Sequence, residues 1–217
     1  MNSIRILLVD DHELVRSALS GQLSTQPEFE VVAEAADAQA AIAAASEHRP
    51  DVLLMDIDMP GMICFDAARR IVSRFPETRI IFLSAFFHDH YIDQALKVRA
   101  RGYLRKSEPI TQLMAAIREV ASGGVWFSEE VSARIVVGEG GAALDTATLT
   151  CVSTLSDREV EVLRYLARGM SKKQVAATMH LSPKTIDNHT CRIMNKLDIH
   201  DRVELARFAI REGLAEA

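Results

Sequence analysis

The chain has 217 residues, 48% hydrophobic and 25% charged, enough for one or two domains with real cores. No apolar run approaches the ~20 residues that span a bilayer, and three cysteines (Cys64, Cys151, Cys191) without a CxxC pair argue against a disulfide framework or a thiolate zinc site. The net charge of −5 is uneven: residues 1–150 carry 14 Lys+Arg against 21 Asp+Glu, a net of −7, and residues 151–217 carry 11 against 9, a net of +2. An acidic front half and a mildly basic back half point to different partners, and the whole reads as a cytoplasmic protein with no membrane association.

Up to about residue 124, short apolar runs alternate with amphipathic stretches. Strands are predicted at 4–9, 29–33, 52–55, 79–83 and 102–105. Helices are predicted between them at 13–24, 38–47, 65–74 and 91–99, with a last one at 110–122 stopped by Gly123-Gly124. Five βα units in succession predict an α/β domain over 1–124, a parallel sheet with helices on both faces. In a flavodoxin-like (βα)5 order of 2-1-3-4-5, ligands sit outside the carboxyl ends of the strands, at the switch point. Residues 125–152 read as a linker, with 129–137 as a short helix packed on the front domain and Gly138-Glu139-Gly140-Gly141-Ala142-Ala143 as a flexible stretch.

Residues 153–217 read as a small all-α domain of four helices near 157–168, 172–179, 183–197 and 202–212. Ser156 with Glu159, Ser171 with Gln174 and Asp201 with Glu204 fit the capping-box pattern. Ser182-Pro183 sets a cap residue before proline at the first helical position, and Gly169 and Gly213 fit C-terminal stops. A short second helix, a turn through His180-Leu181-Ser182 and a longer third helix make a helix-turn-helix.

Polar signals stand where three of the front strands should stop: Asp10-Asp11 after Val9, Asp56 after Met55, and Lys106 after Arg105. Carboxylates side by side at a sheet edge repel one another and ionise together only when a cation joins them. That predicts a divalent-metal site, with Asp10 and Asp11 holding Mg²⁺ and Asp56 free to act as a nucleophile that forms an aspartyl phosphate. Phosphoryl transfer is mainly positioning and charge neutralisation, so Lys106 would offer a point charge to a phosphoryl oxygen, and the Ser84 hydroxyl a hydrogen bond.

These residues resemble the receiver domain of two-component response regulators over roughly residues 3–124. The likeness rests on Val9-Asp10-Asp11-His12, Asp56-Ile57-Asp58-Met59-Pro60-Gly61, Ser84-Ala85 and Gly102-Tyr103-Leu104-Arg105-Lys106. It implies that Asp56 is the phospho-acceptor, that the main-chain carbonyl of Asp58 completes the metal site, and that Ser84 and Tyr103 form the hydroxyl-aromatic switch. It also implies a sensor histidine kinase as phosphoryl donor. Cys64 departs from the glycine common there, so the turn into the third helix is expected to differ.

In the back domain, helical spacing puts Ile186, Ile193 and Leu197 on a core stripe of the 183–197 helix. Lys184, Asp187, Asn188, Cys191, Arg192 and Asn195 fall on the opposite face. The second helix of a helix-turn-helix enters the major groove, where Asn188 would pair with adenine and Arg192 with guanine, Lys184 would reach a base or phosphate, and Cys191 would make a small neutral contact. Lys172, Lys173 and Thr185 suit phosphates. The segments Leu155–Leu163, Gly169–Ala176 and Ser182–His189 resemble the LuxR-type helix-turn-helix. A receiver joined to it resembles the NarL/FixJ class of regulators. Asp187 stands where many members carry Lys or Arg; an acid there repels phosphate or accepts from a cytosine amino group.

The resulting expectation is a transcription regulator and not an enzyme, phosphorylated on Asp56, homodimeric when phosphorylated, and bound to double-stranded promoter DNA through the 183–197 helix. The alternative is a metal-dependent phosphatase, suggested by the DxD of Asp56-Ile57-Asp58. Pro60 stands where such enzymes place Thr or Val, and the second acidic cluster that they need is absent from the sequence.

Overall fold

The structure, a computed structural model, describes residues 3–59, 64–85, 89–138, 141–144, 151–212 and 214. The chain parts into two compact units, one of residues 1–87 and 91–143 and the other of residues 144–217 together with 88–90.

The front unit runs β1 (Ile4–Val9), α1 (Glu13–Leu23), β2 (Phe29–Ala35), α2 (Ala38–His48), β3 (Val52–Asp56), α3 (Cys64–Arg74), β4 (Arg79–Ser84), α4 (Asp89–Lys97), β5 (Gly102–Arg105) and α5 (Ile110–Ala121). All five expected strands and five helices are present, and the strands pair in parallel in the order β2-β1-β3-β4-β5. Every residue of β3 is buried, as a central parallel strand covered by helices on both faces must be. Alternation along the strands sorts side chains to the two faces. Ile6, Leu8, Leu54, Ile81 and Leu104 pack in one cluster with Leu113, Ile117 and Val120 of α5. Phe82 points the other way and meets Phe65 of α3 in a tilted ring contact, with centroids 4.9 Å apart and planes at 56°.

The sheet gains a strand that the sequence did not announce. β6 (Trp126–Phe127) pairs in parallel with β5, Gly102 opposite Trp126 and Tyr103 opposite Phe127. A two-residue strand is too short to show alternation, so nothing in the pattern marks it. Gly102 makes it possible: a Cβ there would lie 3.2 Å from the Trp126 carbonyl oxygen and 3.1 Å from Ile81. The helix expected over 129–137 ends early. α6 covers Glu129–Ser132, capped by the Ser128 hydroxyl, and the chain then extends into β7 (Ile135–Gly138), which pairs with β8 (Gly141–Leu144). The β-branched run Ile135-Val136-Val137 favours strand over helix. The segment read as a flexible stretch thus supplies strand residues at both of its ends.

Among the described residues the back unit holds a 3-10 turn (Cys151–Thr154), α7 (Asp157–Ala167), α8 (Lys172–Thr178), α9 (Pro183–Leu197) and α10 (Arg202–Arg211). Ser156 and Ser171 make complete capping boxes with Glu159 and Gln174. Asp201 makes an ordinary N-cap in place of the expected box: its carboxylate accepts from the amide of Val203, and not from that of Glu204. Gly169 has φ +81°, the left-handed conformation expected of a C-terminal stop; Gly213 lies outside the described residues. The turn between α8 and α9 places the non-glycine His180 at φ +53°, and the Leu181 amide donates to the Ala176 carbonyl.

Glu159 does more than cap. Its Oε2 accepts from the Ser156 amide at 2.8 Å and from Lys196 Nζ at 2.6 Å, and Lys196 also donates to the Thr154 carbonyl at 3.0 Å. This buried carboxylate thereby ties the start of α7 to the end of α9. Burial opposes its charge, but Lys196 and the Ser156 donors win and hold its pKa below the ordinary glutamate value. That stabilisation is complete above the unfolded value of 4.5 and fades as pH falls through the lower folded one. Glu159→Ala is expected to cost about 2 kcal/mol at pH 7, read as a lower urea midpoint for the back unit, with the deficit shrinking in acid.

Candidate functional sites

Register assembles the front site. Val9 pairs with Met55, which puts Asp10 and Asp56, each the next residue, side by side at the carboxyl edge. Ser84 pairs with Arg105, and the Lys106 amide donates to the Ser84 carbonyl at 2.8 Å. Asp10, Asp56 and Ser84 are fully buried, and Lys106 is mostly so.

The Lys106 ammonium sits between the two buried acids, 2.7 Å from Asp10 Oδ2 and 2.9 Å from Asp56 Oδ2. Their other oxygens face backbone donors: Asp10 Oδ1 accepts from the His12 amide at 2.8 Å, and Asp56 Oδ1 from the Asp58 amide at 3.0 Å. Asp11, partly exposed, completes the group. Asp10, Asp11, His12 and Asp56 each offer a ligand atom, all within 4.8 Å of one another. His12 is an addition to the expected site residues; its place directly after Asp10-Asp11 is the sequence signal for it. The Pro60-Gly61 turn lies outside the described residues, and Cys64 is buried at the start of α3.

Burial pushes the Asp56 carboxyl up to about 7 against the pull of Lys106, with the Asp58 charge adding to the rise. Burial also works against the Lys106 ammonium, but Asp56 and Asp10 outweigh it and raise its pKa. Tyr103 is fully buried and hydrogen-bonded with the Ser84 side chain; burial, first of all, lifts its phenol well above the usual value. The two residues expected to form a switch are thus in direct contact inside the domain.

On α9, Ile186 and Ile193 are fully buried, with Thr190 donating to the Ile186 carbonyl at 2.8 Å, while Leu197 is only half-buried. Lys184, Asn188, Cys191, Arg192 and Asn195 are exposed, as the helical spacing predicts. The Thr185 hydroxyl shares a hydrogen bond with Ser182 at 2.8 Å, so it is engaged in the cap. Lys173 is exposed. Lys172 and Asp187, read separately in the sequence, are brought together as an ion pair between α8 and α9.

A parallel sheet with buried carboxylates and a lysine at its carboxyl edge, followed by a helix-turn-helix with a polar outer face, fits a signal-receiving regulator. The response regulator receiver domain family matches residues 6–118, and the bacterial regulatory proteins of the luxR family match residues 153–209. The chain belongs to the response regulators, with a receiver domain in front and a LuxR-type DNA-binding domain behind. The oxygen regulatory protein NreC of Staphylococcus epidermidis is 35% identical to it, covering 98% of this chain and 100% of its own length. The response regulator RcsB of Salmonella typhimurium superimposes with TM-score 0.72 at 25% identity over 98% of this chain and 99% of its own. RcsB of Salmonella enterica serovar Typhimurium, bound to promoter P1flhDC in the presence of phosphomimetic BeF3-, does so with TM-score 0.65 at 25% identity over 95% and 98%. The phosphatase alternative finds no support in these likenesses.

A buried acid with a raised pKa destabilises the fold when ionised, so stability falls as pH rises through about 7. Asp56→Asn is therefore expected to unfold at higher urea than the parent at pH 8 without divalent cations, and the gain should shrink towards pH 5.

Proposed function

We propose that the chain is a phosphorylation-controlled transcription regulator of the cytoplasm, whose Asp56 takes a phosphoryl group from the phosphohistidine of a sensor histidine kinase. The observation that carries this reading is Lys106 held between Asp10 and Asp56 at the edge where Ser84 also ends its strand. Three carboxylates against one ammonium leave two negative charges, which suits one divalent cation. Asp10, Asp11 and Asp56, with the main-chain carbonyl of Asp58, would hold Mg²⁺, which when bound neutralises charge on the phosphoryl oxygens. The same cation charge favours the ionised, nucleophilic form of Asp56 over the protonated one that burial promotes.

An Asp56 carboxylate oxygen forms the new bond to phosphorus as the phosphorus–nitrogen bond of the donor breaks, and that electron pair leaves on the imidazole. Lys106 is positioned to accompany one phosphoryl oxygen, and the Ser84 hydroxyl to donate to another. Ser84 then trades its contact with Tyr103 for one with the phosphoryl group, which biases the face formed by β4, α4 and β5 between two arrangements. The phosphorylated form pairs as a homodimer and places two copies of α9 on DNA half-sites. RcsB bound to a promoter in the presence of a phosphomimetic supports, by likeness, DNA binding by an activated form.

Incubation with acetyl phosphate and Mg²⁺ should give one hydroxylamine-sensitive phosphoryl label per chain, and Asp56→Asn should reduce it to background. A variant that labels like the parent removes Asp56 as the acceptor.

For the back unit, selection from genomic fragments should yield DNA bound with steep salt dependence. Asn188→Ala and Arg192→Ala are each expected to weaken specific binding by about 1–3 kcal/mol. Unchanged selectivity in both would take the outer face of α9 out of the reading role.

A further inference from the structure

The Lys172–Asp187 pair is hard to explain as a device for stability. Both side chains are about half exposed, at 44% and 46%, where ion pairs contribute about 0–1 kcal/mol. Yet the pair occupies two positions that matter for DNA. Lys172 opens α8, where a free ammonium would serve a phosphate. Asp187 stands on the outward face of α9 between Lys184 and Asn188, among side chains that are otherwise neutral or cationic. A lone carboxylate there would be repelled by the phosphates lining the groove. Lys172 cancels that repulsion locally, because its ammonium rests on Asp187 Oδ1. The second oxygen, Oδ2, accepts no hydrogen bond among the described residues.

We propose that Asp187 is a base-reading residue selective for cytosine: Lys172 neutralises and orients the carboxylate, and its free oxygen accepts the exocyclic amino group of a cytosine in the major groove. This rests on the reading of α9 as the recognition helix. The chemistry discriminates in both directions. Cytosine presents only a donor at that edge, whereas adenine sets its N7 acceptor beside its amino group, and guanine (O6 and N7) and thymine (O4) present acceptors that a carboxylate repels. Lys172 is thereby committed to the protein. One lysine at the start of α8, Lys173, is left for phosphate.

Two consequences are measurable with the full-length chain and duplexes recovered from a randomised pool. First, each recovered half-site carries one position where cytosine is preferred roughly tenfold or more. Asp187→Ala abolishes the preference at that position and leaves the others intact, and Asp187→Asn shifts it towards adenine. Second, removing the acid frees Lys172 for phosphate. The slope of log affinity against log salt therefore steepens by about 0.9 per bound subunit in Asp187→Ala. Adding Lys172→Met to Asp187→Ala returns the slope to the parent value, while Lys173→Met alone flattens it by about 0.9.

An Asp187→Ala protein that recovers the same base preferences at every position overturns the proposal, whatever happens to its affinity. An Asp187→Ala slope no steeper than the parent's overturns the commitment of Lys172 to Asp187. Failure of the parent itself to recover a consensus is a different result, since it defeats the reading of α9 on which the proposal stands. Circular dichroism of each variant identifies any that is misfolded, and Asp187→Asn, which keeps the shape of the side chain, then stands in for Asp187→Ala.

Discussion

One ammonium between two buried carboxylates governs the front domain. Asp10 and Asp56 are forced together by the register of β1 on β3, and nothing in the apolar sheet below them can disperse their charge. Lys106 reaches them from the end of β5 and makes the arrangement tolerable without making it comfortable, since the Asp56 carboxyl remains near 7. A site in that condition responds strongly to added charge. A cation or a phosphoryl group changes the balance at the sheet edge, and Ser84 and Tyr103, already in contact, lie next to the change.

The sixth strand gives that edge a neighbour. β6 is paired to β5 opposite Gly102 and Tyr103, so the backbone carrying the buried phenol is hydrogen-bonded to the segment that leaves the front domain. Arg105 reinforces the junction with a 2.7 Å ion pair to Glu130 of α6. The chain following α5 is therefore built onto the sheet and not merely tethered to it, and the glycine at 102 is what lets the two backbones approach.

The back domain solves a different problem, holding four short helices around a small core. Capping groups do much of this work at the helix starts, and Glu159 and Lys196 join two of the helices directly. With Ile186 and Ile193 fixing the inner side of α9, its outer side is free to present polar groups that contribute little to folding. The Lys172–Asp187 pair belongs to that outer side, where charge is set by what the surface has to meet.

Much of this was legible in the residues themselves. Short apolar runs, period-3.6 patterns, capping serines and glycine stops are local signals, and they located ten strands and helices of the front domain and four helices of the back to within a few residues. Polar residues directly after apolar runs marked Asp10, Asp56 and Lys106 because a strand's end is written in adjacent positions. Contacts between residues far apart in sequence were not written there. Only folding decided that Lys106 would touch both acids across 96 and 50 positions, that Trp126 and Phe127 would add a strand, and that Lys172 would find Asp187. Periodicity records which way a side chain faces; which partner stands opposite depends on register and packing, and these exist only once the chain is closed on itself.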